Sequence, residues 1–382
     1  MAMLLIKGGT IHDAVKEKPY VADILVKDGK IQKIGKNLSA KGATVVDAAE
    51  LQVYPGFIDA HSHIGLDGYG IGYEGSDYNE MNDIISAHLR GIDGFKPMQP
   101  HLRQAALAGV TTVNTGPGSA DVIGGTFVAV KTVGRRADDM VVKMETAMKC
   151  AFGENPKRVY RDKGDSSRMT TAAKLRETLY KAKEYAAKKD AAKEDPTKAP
   201  PYDIKMEALL PVIRKEMPLK AHAHATEDIF TALRIAKELD VLITLEHVTE
   251  GHLIKEELSH EDVPLAIGPS MTSASKWELR NRTFETPGVL AKAGCKVSII
   301  TDAPVIPQEY LPLCAALAVK SGMDSFEALK AITINPAHHS GIADRVGSLE
   351  VGKDADIVLM DGDCFDVATQ AVKVYILGEE VQ

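Results

Sequence analysis

Val53-Tyr54-Pro55-Gly56-Phe57-Ile58-Asp59-Ala60-His61-Ser62-His63 is the stretch on which the reading of the fold turns. A short apolar run ends in two histidines at i and i+2, a spacing that puts both imidazoles on one side of a strand. Working outward, three more fragments place a chemical residue at or just past the end of an apolar run: His222-Ala223-His224, His247 and Asp302. Imidazoles with a carboxylate suit zinc, iron or manganese. A divalent ion so held lowers the pKa of its bound water to about 7, which makes hydroxide available at neutral pH. Any one of these histidines alone reads more simply as a satisfied core side chain. The set predicts a metal-dependent hydrolase.

The middle of the chain alternates. Strand-like runs occur at 53–59, 110–114, 145–152, 219–224, 241–247, 263–268 and 296–301, with helix-like stretches such as 225–238 and 325–333 between them. Apolar strands alternating with helices imply a parallel sheet covered by helices, as a barrel or an open doubly wound sheet. Chemical residues gathered at the C-terminal ends of several strands favour the (β/α)8 TIM barrel within the α/β class. The ends of the chain differ. Runs at 3–8, 22–27 and 31–35, with an Asp28-Gly29 hairpin signal, resemble those at 356–360 and 372–377. They predict a small β-sandwich formed by both termini, residues 1–53 plus 346–382, around a barrel of residues 54–345. Residues 166–200, rich in Lys, Glu and Ala with a Pro-rich exit, read as a solvated helix; a lid or dimer contact is the alternative.

The 382 residues carry a net charge of −7, with no basic excess to neutralise phosphates, so nucleic acid is not an expected partner. Cys150, Cys295, Cys314 and Cys364 form no CxxC pair and read as reduced thiols of a cytoplasmic protein. The first residues show no signal peptide, and no apolar run is long enough for a membrane span. A small-molecule substrate and no membrane partner are expected; a homo-oligomer stays open.

PGFIDAHSH (55–63) resembles the signature of the amidohydrolase superfamily. Asn335-Pro336-Ala337 followed by GSLEVGKDADIVL (347–359) is similar to its imidazolonepropionase-related branch. GPGSADVIGG (116–125) and FGENPKR (152–158) resemble poorly characterised members of that branch. The resemblance covers the whole chain. It implies a (β/α)8 barrel with one or two divalent metals, zinc first and iron or manganese as alternatives, activating water against a C–N bond. It also implies His61 and His63 as the first-strand ligand pair, His222 as the fifth-strand ligand and His247 as the sixth. Asp302 would be the eighth-strand carboxylate that binds metal and shuttles the proton. His224 shares the inward parity of His222 and is assigned to substrate contact.

Two-metal members of the superfamily use a carboxylated lysine or a glutamate after the third or fourth strand. Alternation over residues 147–152 sets Lys149 opposite Met148, Cys150 and Phe152, in an apolar strand where a lysine has no structural task. A carboxylated Lys149 and Glu154 are the candidate bridges, beside a one-metal site that uses neither. Three residues after His222, where imidazolonepropionase and related deaminases place a catalytic glutamate, stands Ala225, with Glu227 two positions further on. This argues against that reaction.

GPGSADVIGGT lacks the ending of a phosphate loop and reads as a pocket-shaping loop. Ser270, Thr272 and Ser273 are candidate polar contacts. Arg280 and Arg282 are candidate partners for a substrate carboxylate, with surface ion pairs as their simpler role. The adjacent His338 and His339 point in different directions on a helix and are not read as ligands. The expected activity is metal-bound hydroxide attacking an amide or peptide-like bond of a small polar substrate such as a dipeptide or N-acyl amino acid. A hydrolytic deaminase or cyclic amidase on the same metal site is the alternative, and a non-catalytic assembly protein a more distant one.

Overall fold

The first strand, Met3–Ile11, changes partners at Gly8-Gly9. Leu4–Lys7 pairs parallel with Thr44–Asp47, whereas Thr10 and Ile11 pair parallel with Gln52 and Val53. These coordinates, a computed structural model, describe residues 3–68 and 72–382. Tyr20–Lys27 runs antiparallel along the first strand and turns at Asp28-Gly29, both at positive φ, into Lys30–Gly35. Gln52–Pro55 pairs antiparallel with Ile357–Met360, which in turn pairs with Ala371–Ile376. The two ends of the chain thus meet, as the sequence leads one to expect. They do so in one eight-stranded sheet, a path of seven strands with Thr44–Asp47 branching from the first, over a core that includes Ile6, Ile24, Val53, Leu349, Ile357 and Tyr375.

The rest of the chain is mixed α/β. Met148–Ala151, Leu219–Ala223, Ile243–His247, Leu265–Ile267 and Val297–Ile299 lie side by side in chain order, all parallel. Their residues are buried on both faces, as in a parallel sheet covered on each side. Phe57–Ser62 pairs parallel with Val110–Thr115 in a second sheet. The regular alternation fails between these groups. Ile123–Thr126 runs antiparallel to Met148–Ala151, and Val128–Lys131 runs antiparallel to Val110–Thr115. Among the described residues the strands therefore form a six-stranded and a four-stranded sheet, not one closed ladder. The sheets are tied at both seams by other bonds: Phe127 N donates to Ala147 O at 2.9 Å, and His63 N to Ala303 O at 2.8 Å.

The helix Thr226–Leu239 lays Ile229, Ala232, Leu233, Ala236 and Leu239 on the six-stranded sheet. Residues 168–191 form a 24-residue helix capped by Ser167, whose Oγ accepts from Thr170 N. Its outer face is solvated and holds the i,i+4 pair Glu177–Lys181 at 2.6 Å. Its inner face buries Leu175, Leu179 and Ala182 in the main core, so the segment packs as part of the body. No helix among the described residues is long and apolar enough to cross a membrane.

Candidate metal centre

His61, His222 and His247 lie at the ends of three different strands, and Asp302 lies in the turn after a fourth. The structure brings them together. Ligand-capable atoms of His61, His247 and Asp302 lie within 4.8 Å of one another, and so do those of His222, His224 and His247. His63 joins the first group, its Nε2 standing 3.3 Å from Asp302 Oδ1. His224, assigned from the sequence to substrate contact, sits within reach of the second group.

Each imidazole is aimed by a bond at its Nδ1. His61 Nδ1 meets Glu246 Oε2 at 2.9 Å, His63 Nδ1 meets Gly116 O at 2.7 Å, and His222 Nδ1 meets Ser119 Oγ at 2.8 Å. His224 Nδ1 meets Thr249 Oγ1 at 2.7 Å, and His247 Nδ1 meets Gly268 O at 2.8 Å. Every Nε2 is thereby left toward the centre. Those of His222 and His247, with Asp302 Oδ1, are buried and have no hydrogen-bond partner among the described residues. Buried polar atoms without partners are rare, and three converging ones are what a divalent ion would satisfy. The donor set fits such an ion.

The electrostatics agree. Burial pushes the His222 and His224 imidazoles well below their ordinary pKa, helped by neighbouring positive charge, and lowers His247 to about 4. These rings are neutral at physiological pH, as ligands must be. Burial alone would raise the Asp302 carboxyl, but the imidazoles of His247 and His63 hold it well below the usual carboxylate range. His247 and Asp302 also adopt positive φ, 73° and 54°. Strain of that kind at non-glycine residues costs on the order of 1–3 kcal/mol and gathers at functional sites.

Lys149 is fully buried, its Nζ 3.2 Å from His61 Nε2. Burial lowers its pKa to about 8. Glu154 lies in neither ligand group. Its Oε1 accepts from Glu278 N at 2.9 Å, while its own N–H donates to Glu278 Oε2 at 3.0 Å. Glu278, invisible as a site residue in the sequence, is a buried carboxylate 3.7 Å from His222 Nε2 and 3.8 Å from His224 Nε2, paired with Lys276 at 2.6 Å. Gly153 makes room for it: with φ of 81°, it carries no Cβ where one would stand 2.4 Å from Glu278 Oε2.

The segment GPGSADVIGG shapes the pocket, as read, and does more: Gly116 and Ser119 aim two of the histidines. Gly118 lets it pass closely, since a Cβ there would lie 2.3 Å from Asn79 Oδ1. Above the centre opens a cavity of about 310 Å³, whose lining includes His63, His222, His224, Asp302, Lys276 and Arg158. Thr272 also lines it. Arg280 is engaged by Glu250 at 2.8 Å and Arg282 by Ser270 O, and neither lines the cavity. Ala225 is buried and Glu227 exposed, so neither supplies a carboxylate to the centre.

Residues 52–381 match the family model described as the amidohydrolase family. The chain is 28% identical over 389 residues to "Amidohydrolase tasK" of Hapsidospora irregularis, covering 94% of this chain but 40% of that relative. A shorter match, 50% identical over 62 residues, is to the D-hydantoinase of Geobacillus stearothermophilus, and covers 16% of this chain and 13% of the enzyme. This chain thus spans less than half of these curated relatives' length. A solved amidohydrolase structure from Thermotoga maritima MSB8 superposes with a TM-score of 0.96 at 40% identity, covering 99% of both chains. These matches mean that the chain belongs to the amidohydrolase family.

Proposed function

We propose that this protein is a hydrolase that cleaves the amide bond of a small polar substrate ending in a carboxylate, such as a dipeptide or N-acyl amino acid. Its α/β body is read as a (β/α)8 barrel of residues 54–345, and residues 1–53 with 346–382 as the small β-domain. The observation that carries the reading is the convergence of His61, His63 and Asp302 with His222 and His247 at the floor of one cavity. His61, His63 and Asp302 would hold one divalent ion, and His222 and His247 a second. Zinc is the first choice from the imidazole-rich donors.

When bound, such ions acidify a water and polarise the substrate carbonyl. The chain's own residues do the rest. Asp302 faces the centre with Oδ1 unpartnered and would take the proton of the attacking water. As the oxygen bonds to the carbonyl carbon and the C–N bond breaks, that proton passes to the leaving nitrogen. His224, tethered through Nδ1 to Thr249, would hold the carbonyl oxygen in line through Nε2. Lys149 supports a bridge between the two ions, because a buried neutral amine beside His61 can take up carbon dioxide as a carbamate. Glu154, turned toward Glu278, is less suited. Arg158 lines the cavity and makes no ion pair among the described residues, which fits a substrate carboxylate.

A cyclic amidase is the second reading, favoured by the short D-hydantoinase match. Metal-loaded protein tested on dipeptides, N-acyl amino acids and cyclic ureides separates the two. Two fragments from a linear amide support the proposal, with Arg158→Ala raising KM about tenfold or more at similar kcat. Turnover of ureides alone overturns it.

A further inference from the structure

Beneath the metal centre lies a second cluster of buried charged groups that the chemistry above leaves unused: Lys220, Glu246 and His339, all buried. Glu246 is its hub. Oε2 accepts from His61 Nδ1 at 2.9 Å and faces Lys220 Nζ at 2.9 Å. Oε1 accepts from Thr244 Oγ1 at 2.7 Å and meets His339 Nε2 at 2.8 Å. Lys220 Nζ also donates to Ala60 O at 2.9 Å, on the strand that carries His61.

Burying an ion pair costs several kcal/mol per ion in desolvation, and apolar residues of equal volume usually serve stability as well. Stability alone therefore does not explain the cluster. Among the described residues its one bond to a candidate ligand is that to His61, which is pinned between Glu246 at Nδ1 and Lys149 at Nε2. An ionised carboxylate can only accept, so Nδ1 carries the ring proton and gives it to Glu246.

We propose that Glu246, held by Lys220 and His339, is a positioning residue that fixes the tautomer and aim of His61, so that Nε2 stands bare toward the ion site. Lys220 keeps Glu246 ionised and turned to the strand. His339 and Thr244 occupy its second oxygen, so the carboxylate cannot rotate away. Carboxylates that orient ligating histidines in this way contribute about 10–100-fold to metal affinity. The inference rests on the metal-centre reading, and its test separates the two.

The first measurement needs no variant. In ¹⁵N-histidine-labelled, metal-free protein, the nitrogen shifts of His61, assigned by comparison with His61→Gln, should report a proton on Nδ1. A proton on Nε2 overturns the proposal. The second uses K220M/E246L, which removes the buried pair as a unit and leaves no buried charge uncompensated. Chelator competition should show one ion weakened about 10–100-fold and the other changed less than about threefold. A folded variant that binds both ions as the wild type does overturns the proposal. K220M/E246Q keeps an acceptor oxygen and charge balance, should fold where the leucine variant does not, and should lose about threefold or more; unchanged affinity counts against the proposal equally. Wild-type protein that takes up no divalent ion overturns the metal reading instead, and the nitrogen shifts then decide on Glu246 alone.

Discussion

Asp59 reaches from the strand that carries His61 across to Thr301, accepting its N–H at 2.9 Å and its Oγ1–H at 2.6 Å on one carboxylate oxygen. The same oxygen takes Gln308 Nε2 at 2.7 Å, and the other takes His61 N at 3.0 Å. This side chain does the work of a missing ladder, since Phe57–Ser62 and Val297–Ile299 are not paired by strand hydrogen bonds. Asp302 is the next residue along. Asp59→Ala leaves four buried donors without an acceptor, and each such loss costs on the order of 1–3 kcal/mol. Urea denaturation should show about 3–5 kcal/mol of lost stability. A loss below about 1 kcal/mol would mean that the seam is held elsewhere.

Lys149 sets a pH dependence whose sign can be worked out. In the unfolded chain its amine keeps its proton up to about pH 10.4, while in the fold burial lowers that point to about 8. Between those values the unfolded state binds more protons, so stability rises with pH. Metal-free, carbonate-free wild type should gain stability relative to Lys149→Met from pH 8 toward 10, and the difference should be flat below 8. A difference that falls over that window contradicts the buried, neutral amine.

Ser119 aims His222 through a 2.8 Å bond to Nδ1. Ser119→Ala keeps the loop's backbone and removes only that bond. Divalent-ion affinity at the His222 group should fall about 10–100-fold, with the far-ultraviolet spectrum unchanged. Chelator titration is the measurement, and undiminished affinity would show that packing alone aims the ring.

Lys131 joins the four-stranded sheet to the last part of the chain, its Nζ 2.5 Å from Asp356 and 3.1 Å from Asp354. All three side chains are buried. Lys131→Met removes the ion-pair partner of the buried Asp356 carboxylate, whereas Asp354 keeps Lys30 and Arg345, and breaking a buried pair by removing one partner costs about 3–5 kcal/mol. Thermal unfolding should register that loss, and K131M/D356N should recover part of it. No recovery would place the destabilisation in packing rather than charge.

The candidate ligands were legible because each stands where an apolar run stops, and strand alternation set Lys149 apart from Met148 and Cys150, which lie in the core. Alternation failed at Glu246 and His247. Neighbours on a strand point to opposite faces, yet both serve the centre, because φ of 73° at His247 swings its ring back. No sequence pattern announces that turn. Ser119 and Glu278 escaped for another reason: their roles come from loops docking across the fold, and Glu278 depends on the glycine at 153 for its space. GPGSADVIGGT read as a loop because its glycines mask the first of two short antiparallel strands, Ile123–Thr126 and Val128–Lys131. Those strands are also where the expected barrel departs from a single ladder.

The clasp on Gln52–Pro55 has a consequence for biosynthesis. This strand lies between Thr10–Ile11 on one side and Ile357–Met360 on the other, and Gly56 alone separates it from the strand of His61 and His63. During synthesis these histidines emerge well before Ile357–Met360, one of the two strands that anchor their base. The nascent chain therefore exposes these candidate ligands long before the fold can hold them in place, and the centre can be completed only once that strand has been made.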